Sequence, residues 1–289
     1  VIVIGGGWVG MLTAARLIQA GIEGVRIVES GGDFGGTWYW NRYPGAQCDI
    51  ESYSYLPLLE ETGYVPKLRY SFAPEIYEHA QRIGQHFGLY EDAVFQTWVT
   101  ELRWLEDENR WLVQTNHGDE MRAHHICLGT GPANRPRLPG IPGVDNFKGH
   151  SFHTCRWDYN YTGGSHEGGL KNLADKTVAI IGTGATAVQC VPALGESAKK
   201  LYVFQRTPSS VDVRNNAETD PKWAASLEPG WQKERQKKFG EAFLGGPIDP
   251  AFVDDGWTRL TRNVRTLASK ATEQVSNLVQ LADFKTMEQ

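Results

Sequence analysis

The chain has 289 residues, a length that suggests about two domains. Its 40% hydrophobic and 22% charged residues are ordinary globular usage and exclude a disordered chain. A net charge of -5 and a pI near 5.9 give no electrostatic case for a nucleic-acid or membrane partner, and no apolar run approaches the roughly 18 residues of a membrane span.

Four widely separated cysteines (Cys48, Cys127, Cys155, Cys190) lack any C-x-x-C pair. That pattern argues against a zinc or other metal site, a disulfide scaffold and a redox-active dithiol, and points to reduced thiols in a cytoplasmic protein. The chain opens on an apolar run with neither an initiator Met nor a basic leader. It therefore reads as trimmed at the front, with no signal peptide.

In chain order, residues 1–4 read as a strand, Gly5-Gly6-Gly7-Trp8-Val9-Gly10 as a glycine turn, 11–20 as a helix and 25–29 as a second strand. Residues 31–57 form an aromatic and glycine-rich loop too irregular for one element, and a helical pattern follows around 73–87. Alternating runs at 95–105 and 110–115 predict strands of a meander, turning at Asp107-Glu108-Asn109. Residues 124–128 read as an apolar strand ending in Gly129-Thr130-Gly131, and the proline-rich stretch 132–142 as a linker.

A second strand (177–181), turn (Gly182-Thr183-Gly184), helix (185–194) and strand (201–205) follow. From 215 onward the chain is polar and helical, interrupted at Gly245 to Pro247, with Asp254 or Asp255 as the expected cap of a helix entered at Trp257. The last residues carry no stop signal, so the chain reads as cut within an element. The expected class is α/β with two Rossmann-like dinucleotide-binding domains. The first is 1–141 and the second 142–289, with a helical insertion from about 215, both incomplete because a C-terminal part is missing.

The two glycine turns carry the chemistry. Gly5 makes a tight turn, Gly7 lets backbone approach a pyrophosphate, and Gly10 lets the helix pack closely on the strand, while the helix N-terminus offers N–H groups and positive potential to the anion. Glu29 closes the second strand where an acid is expected to hold ribose hydroxyls. The second copy has Gly182, Gly184 and Ala187, and its following strand ends near Arg206. Glu29 follows Gly5 by 24 positions, and Arg206 follows Gly182 by 24. Equal spacing predicts that the same position holds an acid in one copy and a guanidinium in the other. An acid favours a free ribose diol, whereas Arg pairs with a 2′-phosphate. Two dinucleotides in one chain, FAD and NADPH, imply hydride transfer between them.

Three further stretches resemble one family. Phe147, Gly149, His153, Thr154, Trp157 and Asp158 match the F-x-G-x-x-x-H-T-x-x-W-P/D fingerprint of flavin-dependent (type I) Baeyer–Villiger monooxygenases. Gly35 to Gly45, with Cys48, Asp49, Glu51 and Ser52, is a second match, and Phe204-Gln205-Arg206-Thr207-Pro208 a third. The resemblance implies a two-dinucleotide-binding flavoprotein that uses NADPH and O2 to convert ketones to esters or lactones through a C4a-peroxyflavin.

By the same resemblance Glu29 would hold the FAD ribose, and Thr37, Trp38, Tyr39, Trp40, Asp49, Tyr55 and Val99 would line the flavin. Gln47, Cys48 and Asp49 would face the nicotinamide. Thr183, Gly184, Ala185, Thr186, Ala187, Val188, Gln189, Arg206 and Thr207 would hold NADP(H). His153 would serve domain motion. Asp49 would position a catalytic Arg that lies outside these residues, so the chain alone is expected not to oxygenate ketones. Gln47 departs from the family, where Arg is common. A relative oxidising nitrogen or sulfur, and an inert nucleotide-binding fragment, are the alternatives at this stage. A disulfide reductase would need the cysteine pair that the chain lacks.

Overall fold

A computed structural model describes residues 1–132, 135–208, 211, 213–244, 246, 258, 260, 263, 264, 266, 267 and 270. The expected cap at Asp254 or Asp255, the helix from Trp257, Gly245 and Pro247, and the chain end lie outside the described residues.

In chain order the first part runs β1 (Ile2–Ile4), α1 (Trp8–Gln19), β2 (Arg26–Val28), α2 (Thr37–Trp40), α3 (Ser52–Tyr55), α4 (Leu59–Thr62) and α5 (Ala73–His86). Then come β3 (Ala93–Val94), β4 (Val99–Leu105), β5 (Arg110–Thr115), β6 (Glu120–Ala123) and β7 (Ile126–Leu128). The second part runs α6 (Tyr159–Thr162), β8 (Thr177–Ile181), α7 (Ala185–Ser197), β9 (Lys200–Phe204), α8 (Pro221–Ala225) and α9 (Trp231–Phe243).

Two compact units result. The first comprises Val1–Cys48, Leu56–Thr62 and Ser71–Val211; the second comprises Asp49–Tyr55, Gly63–Tyr70 and the described residues of Asp212–Gln289.

The first unit is organised by a parallel sheet of order β3-β2-β1-β7. Successive side chains of a strand point to opposite faces, and β1 is apolar on both. Val3 joins Met11, Ala14 and Ala15 of α1, Ile27, Phe34, and Ala80 and Ile83 of α5 in one core. Ile2, Ile4 and Val28 join Val113 and Ala123 in a second. The antiparallel meander β4-β5-β6 supplies that second cover. A run apolar on both faces is what a strand buried on both sides requires. In the same unit β8 and β9 form a parallel pair, joined through α7.

His79 is fully buried on α5, and its Nε2 donates to Pro57 O at 2.6 Å. Burial pushes its pKa down to about 4 from the usual 6.5. The folded value lies below the unfolded one, so the stabilisation is complete above about pH 6.5 and is lost as pH falls toward 4. Going from pH 7 to 4.5 should cost about 2–3 kcal/mol through this residue. His79→Gln, which keeps a donor for Pro57 O, should lack that part of the acid response. Equal pH slopes of the urea unfolding free energy in the two proteins would remove His79 as its source.

Candidate dinucleotide-binding sites

Gly5 leaves β1 with φ +106°, and its N–H donates to Val28 O at 2.8 Å. This is a backbone that L side chains rarely adopt. A Cβ on Gly5 would meet Gly129 O at 2.5 Å, and one on Gly10 would overlap the Gly5 carbonyl. Three glycine backbones, from the turn, from α1 and from the end of β7, are thus in direct contact. Gly129 was missed as a partner of the turn, although its glycine pair after an apolar strand was the available signal. Gly7 caps α1 without a side-chain hydrogen bond, and the first turn holds no acid. The helix therefore presents uncompensated N–H groups and positive potential at the turn.

Glu29 is buried at 5% exposure. Its Oε1 accepts from Gly31 N–H at 2.5 Å and Ser30 Oγ at 3.1 Å, and its Oε2 accepts from Gly6 N–H at 2.5 Å. Each carboxylate oxygen has two acceptor sites, so Oε2 keeps one for a ligand hydroxyl.

Asp33 was also missed by sequence reasoning. It accepts from Tyr77 Oη at 2.6 Å, Gln81 Nε2 at 2.8 Å, Tyr90 Oη at 2.8 Å and Phe34 N–H at 2.7 Å. Burial raises the Asp33 pKa, but the four donors together outweigh it and the net shift is downward. Burial, with the Asp33 carboxylate beside it, pushes the Tyr77 phenol up to about 12. The network ties the 31–36 turn to α5. There Gly35 N–H donates to Gly6 O at 2.9 Å, and a Cβ on Gly36 would meet Gly7 Cα at 2.7 Å. The only sequence trace was Tyr77 and Gln81 at a helical i, i+4 spacing.

The second turn repeats the first. Gly182 has φ +107°, and its N–H donates to Phe204 O at 2.9 Å. Gly184 caps α7 at φ -74°, ψ -171°, beside -83°, -172° for Gly7. Ala187 is buried on α7. No heavy atom lies within 4 Å of where a Cβ on Gly182 or Gly184 would fall. Thr183, Thr186 and Gln189 are partly buried, while Ala185, Val188, Arg206 and Thr207 are exposed.

Strand register corrects one expectation. Ile4 pairs with Val28, and Ile181 pairs with Phe204. The first crossover covers 24 positions and the second 23, so the residue matching Glu29 is Gln205, and Arg206 lies one step beyond. Equal spacing misled because the loop ahead of β9 is shorter than the one ahead of β2.

The loop expected to line the flavin is held from the second half of the same unit. Thr37 is exposed, Trp38 buried, and Tyr39, Trp40 and Gln47 partly buried; Cys48 is buried and its N–H donates to Ser71 O at 3.0 Å. Arg156 lies 3.6 Å above the Trp40 ring centroid, and Tyr159 Oη donates to Arg42 O at 2.6 Å. Gly45 N–H donates to His166 O at 2.8 Å. Gln189 receives Tyr43 Oη at 2.8 Å and donates to Gln47 O at 3.0 Å. Val99, opening β4, packs on the core formed with Ile4 and Val28.

The fingerprint residues shape the turns that make these contacts. His153 Nδ1 accepts from Cys155 N–H at 3.2 Å, capping the turn that carries Arg156. Asp158 accepts from Tyr161 N–H at 3.1 Å, capping α6, which begins at Tyr159, and it meets His150 Nε2 at 3.0 Å. Trp157 Nε1 donates to Thr162 Oγ1 at 3.1 Å. Phe147 and Gly149 are exposed.

Asp49 and Tyr55 fall in the second unit. There Arg235 donates to both oxygens of the fully buried Glu51, at 2.6 and 2.8 Å, and lies 5.1 Å from the Tyr53 ring.

Two strand–glycine turn–helix–strand units of matching geometry define a two-dinucleotide-binding α/β protein. Residues 1–219 match the pyridine nucleotide-disulphide oxidoreductase family. The Baeyer–Villiger monooxygenase ATR8 of Stachybotrys chlorohalonatus is 57% identical over all of this chain and 47% of its own length. A polycyclic ketone monooxygenase from the fungus Thermothelomyces thermophila superposes with a TM-score of 0.83 at 43% identity, over 89% of this chain and 43% of that one. The solved complex of OTEMO with FAD and NADP superposes at 0.72 and 33% identity, over 84% and 44% of the two chains.

The chain belongs to the pyridine nucleotide-disulphide oxidoreductase family, within its Baeyer–Villiger monooxygenase branch. It spans about half the length of the curated relatives it matches. None of its four cysteines forms a disulfide. No helix among the described residues is long and apolar enough to cross a membrane.

Proposed function

We propose that the chain is the dinucleotide-handling part of a cytoplasmic, NADPH- and O2-dependent flavin monooxygenase that converts ketones to esters or lactones. The observation carrying this reading is the repeated glycine turn, with a carboxylate beside one copy and an amide followed by a guanidinium beside the other. On this reading residues 1–141 serve FAD and 142–289 serve NADP(H).

The first turn fits FAD. Its pyrophosphate would meet the uncapped start of α1 beside Gly5, Gly7 and Gly10, and Glu29 Oε2 has an acceptor site for a ribose hydroxyl. Thr37 to Trp40, Gln47, Cys48 and Val99, with Asp49 and Tyr55 by resemblance, would line the flavin. Thr183 to Gln189, Arg206 and Thr207 would hold NADP(H). Bound FAD would supply hydride acceptance and O2 activation; the chain's own part is to bind, orient and keep water from the flavin. Fungal and bacterial relatives named for ketones and lactones support the substrate class.

A protein of the relatives' full length carrying this chain should be yellow and, given NADPH, oxygen and a panel of cyclic, linear and aryl ketones, should release ester or lactone. Oxidation of amines or sulfides with ketones untouched would move it to the nitrogen- and sulfur-oxidising monooxygenases. A folded but colourless protein that gains no flavin on reconstitution would overturn the reading altogether.

A further inference from the structure

We infer that Gln205, ahead of Arg206, is a specificity-determining residue for the 2′-phosphate of the second dinucleotide. This inference rests on the NADP(H) reading of the second turn. The two copies share the bond that closes the turn. Gly5 N–H donates to Val28 O and Gly182 N–H to Phe204 O. The next residue of each strand, Glu29 or Gln205, reaches back to the next residue of each turn. Glu29 Oε2 accepts from Gly6 N–H at 2.5 Å, and Gln205 Nε2 donates to Thr183 Oγ1 at 3.2 Å. Gln205 therefore occupies the place of the ribose-binding acid.

The bond to Thr183 places the amide nitrogen of Gln205 at the turn. Thr183 Oγ1 accepts from Gln205 Nε2 at 3.2 Å and donates to Thr207 O at 3.4 Å. The amide nitrogen retains a second N–H. A carboxylate here would stand against a phosphate carrying about -1.5 to -2 charges. The amide keeps the acid's length, offers a donor to a phosphate oxygen and an acceptor to a neighbouring hydroxyl, and adds no repulsion. Arg206, exposed one position further, then supplies attraction. Preference thus has two separable parts, a removed acid and an added cation, on adjacent residues.

Gln205 is exposed, so substitution there leaves the fold intact, as circular dichroism will verify. Binding of 2′,5′-ADP and of 5′-ADP should be measured by calorimetry on the full chain, without flavin turnover. Gln205→Glu should weaken 2′,5′-ADP by about tenfold or more and change 5′-ADP by less than about twofold. Gln205→Ala, which removes donor and acceptor without adding charge, should weaken 2′,5′-ADP by a smaller factor. Equal losses of both ligands in Gln205→Glu, or no loss of either, would overturn the inference. If the unsubstituted chain binds 5′-ADP as tightly as 2′,5′-ADP, the NADP(H) reading itself fails.

Discussion

Replacing Arg235 with alanine should destabilise the second unit by about 3–5 kcal/mol, because it strands a buried carboxylate without its counter-charge. Glu51 is fully buried, and both of its oxygens are held by the one guanidinium. Ser54 Oγ, at 2.8 Å from Glu51 Oε1, is too weak a donor to compensate. Arg235→Lys should recover only part of the loss, since an ammonium cannot serve both oxygens in fork geometry. The double replacement Glu51→Gln with Arg235→Met should be less destabilised than Arg235→Ala, because no unpaired charge remains buried. Urea unfolding followed by tryptophan fluorescence reads all three. A loss under about 1 kcal/mol for Arg235→Ala would mean the pair behaves as a surface one.

Gly10→Ala should be as damaging, at about 3 kcal/mol or more, and for a different reason. The added methyl would overlap the Gly5 carbonyl, a backbone atom that moves only with β1 or α1. Gly7→Ala is the contrasting case. Its Cβ would lie 3.5 Å from Gly36 Cα, an ordinary contact, so the fold should stay intact. That methyl would occupy the space a pyrophosphate needs, and FAD affinity should fall about tenfold or more. Melting temperature and flavin titration separate the two. A Gly7 variant that binds FAD as well as its parent would take the anion away from this turn.

The same glycines explain how far the sequence could be read. Gly5 to Gly10 and Gly182 to Ala187 were legible because their geometry is local: a strand, a turn and a helix within a dozen residues. The meander was legible from its alternation, although β3 and β6, short and poorly periodic, were not anticipated. Register was not legible. The equivalence of Glu29 with Gln205 depends on a one-residue difference between two crossovers, and counting from the glycine cannot reveal where the difference falls. The Asp33 network and the Glu51–Arg235 pair were invisible for a related reason. Their partners lie 44 to 184 positions apart, and no local pattern announces them. The second unit is assembled from three separated stretches, which no composition shift or linker could have marked.

The grip of residues 156–189 on the loop at 40–47 also sets an order of events during synthesis. Gln189 bonds to Gln47 across 142 positions, and Tyr159 to Arg42 across 117. Translation proceeds at about 5–20 residues per second. The aromatic loop therefore leaves the ribosome many seconds before the residues that secure it. Until then Trp40 lacks Arg156, and Arg42 and Gln47 lack Tyr159 and Gln189, although Tyr39 can already pack against Tyr77 of α5. Long-range closure of this kind slows folding and lengthens exposure to misassociation.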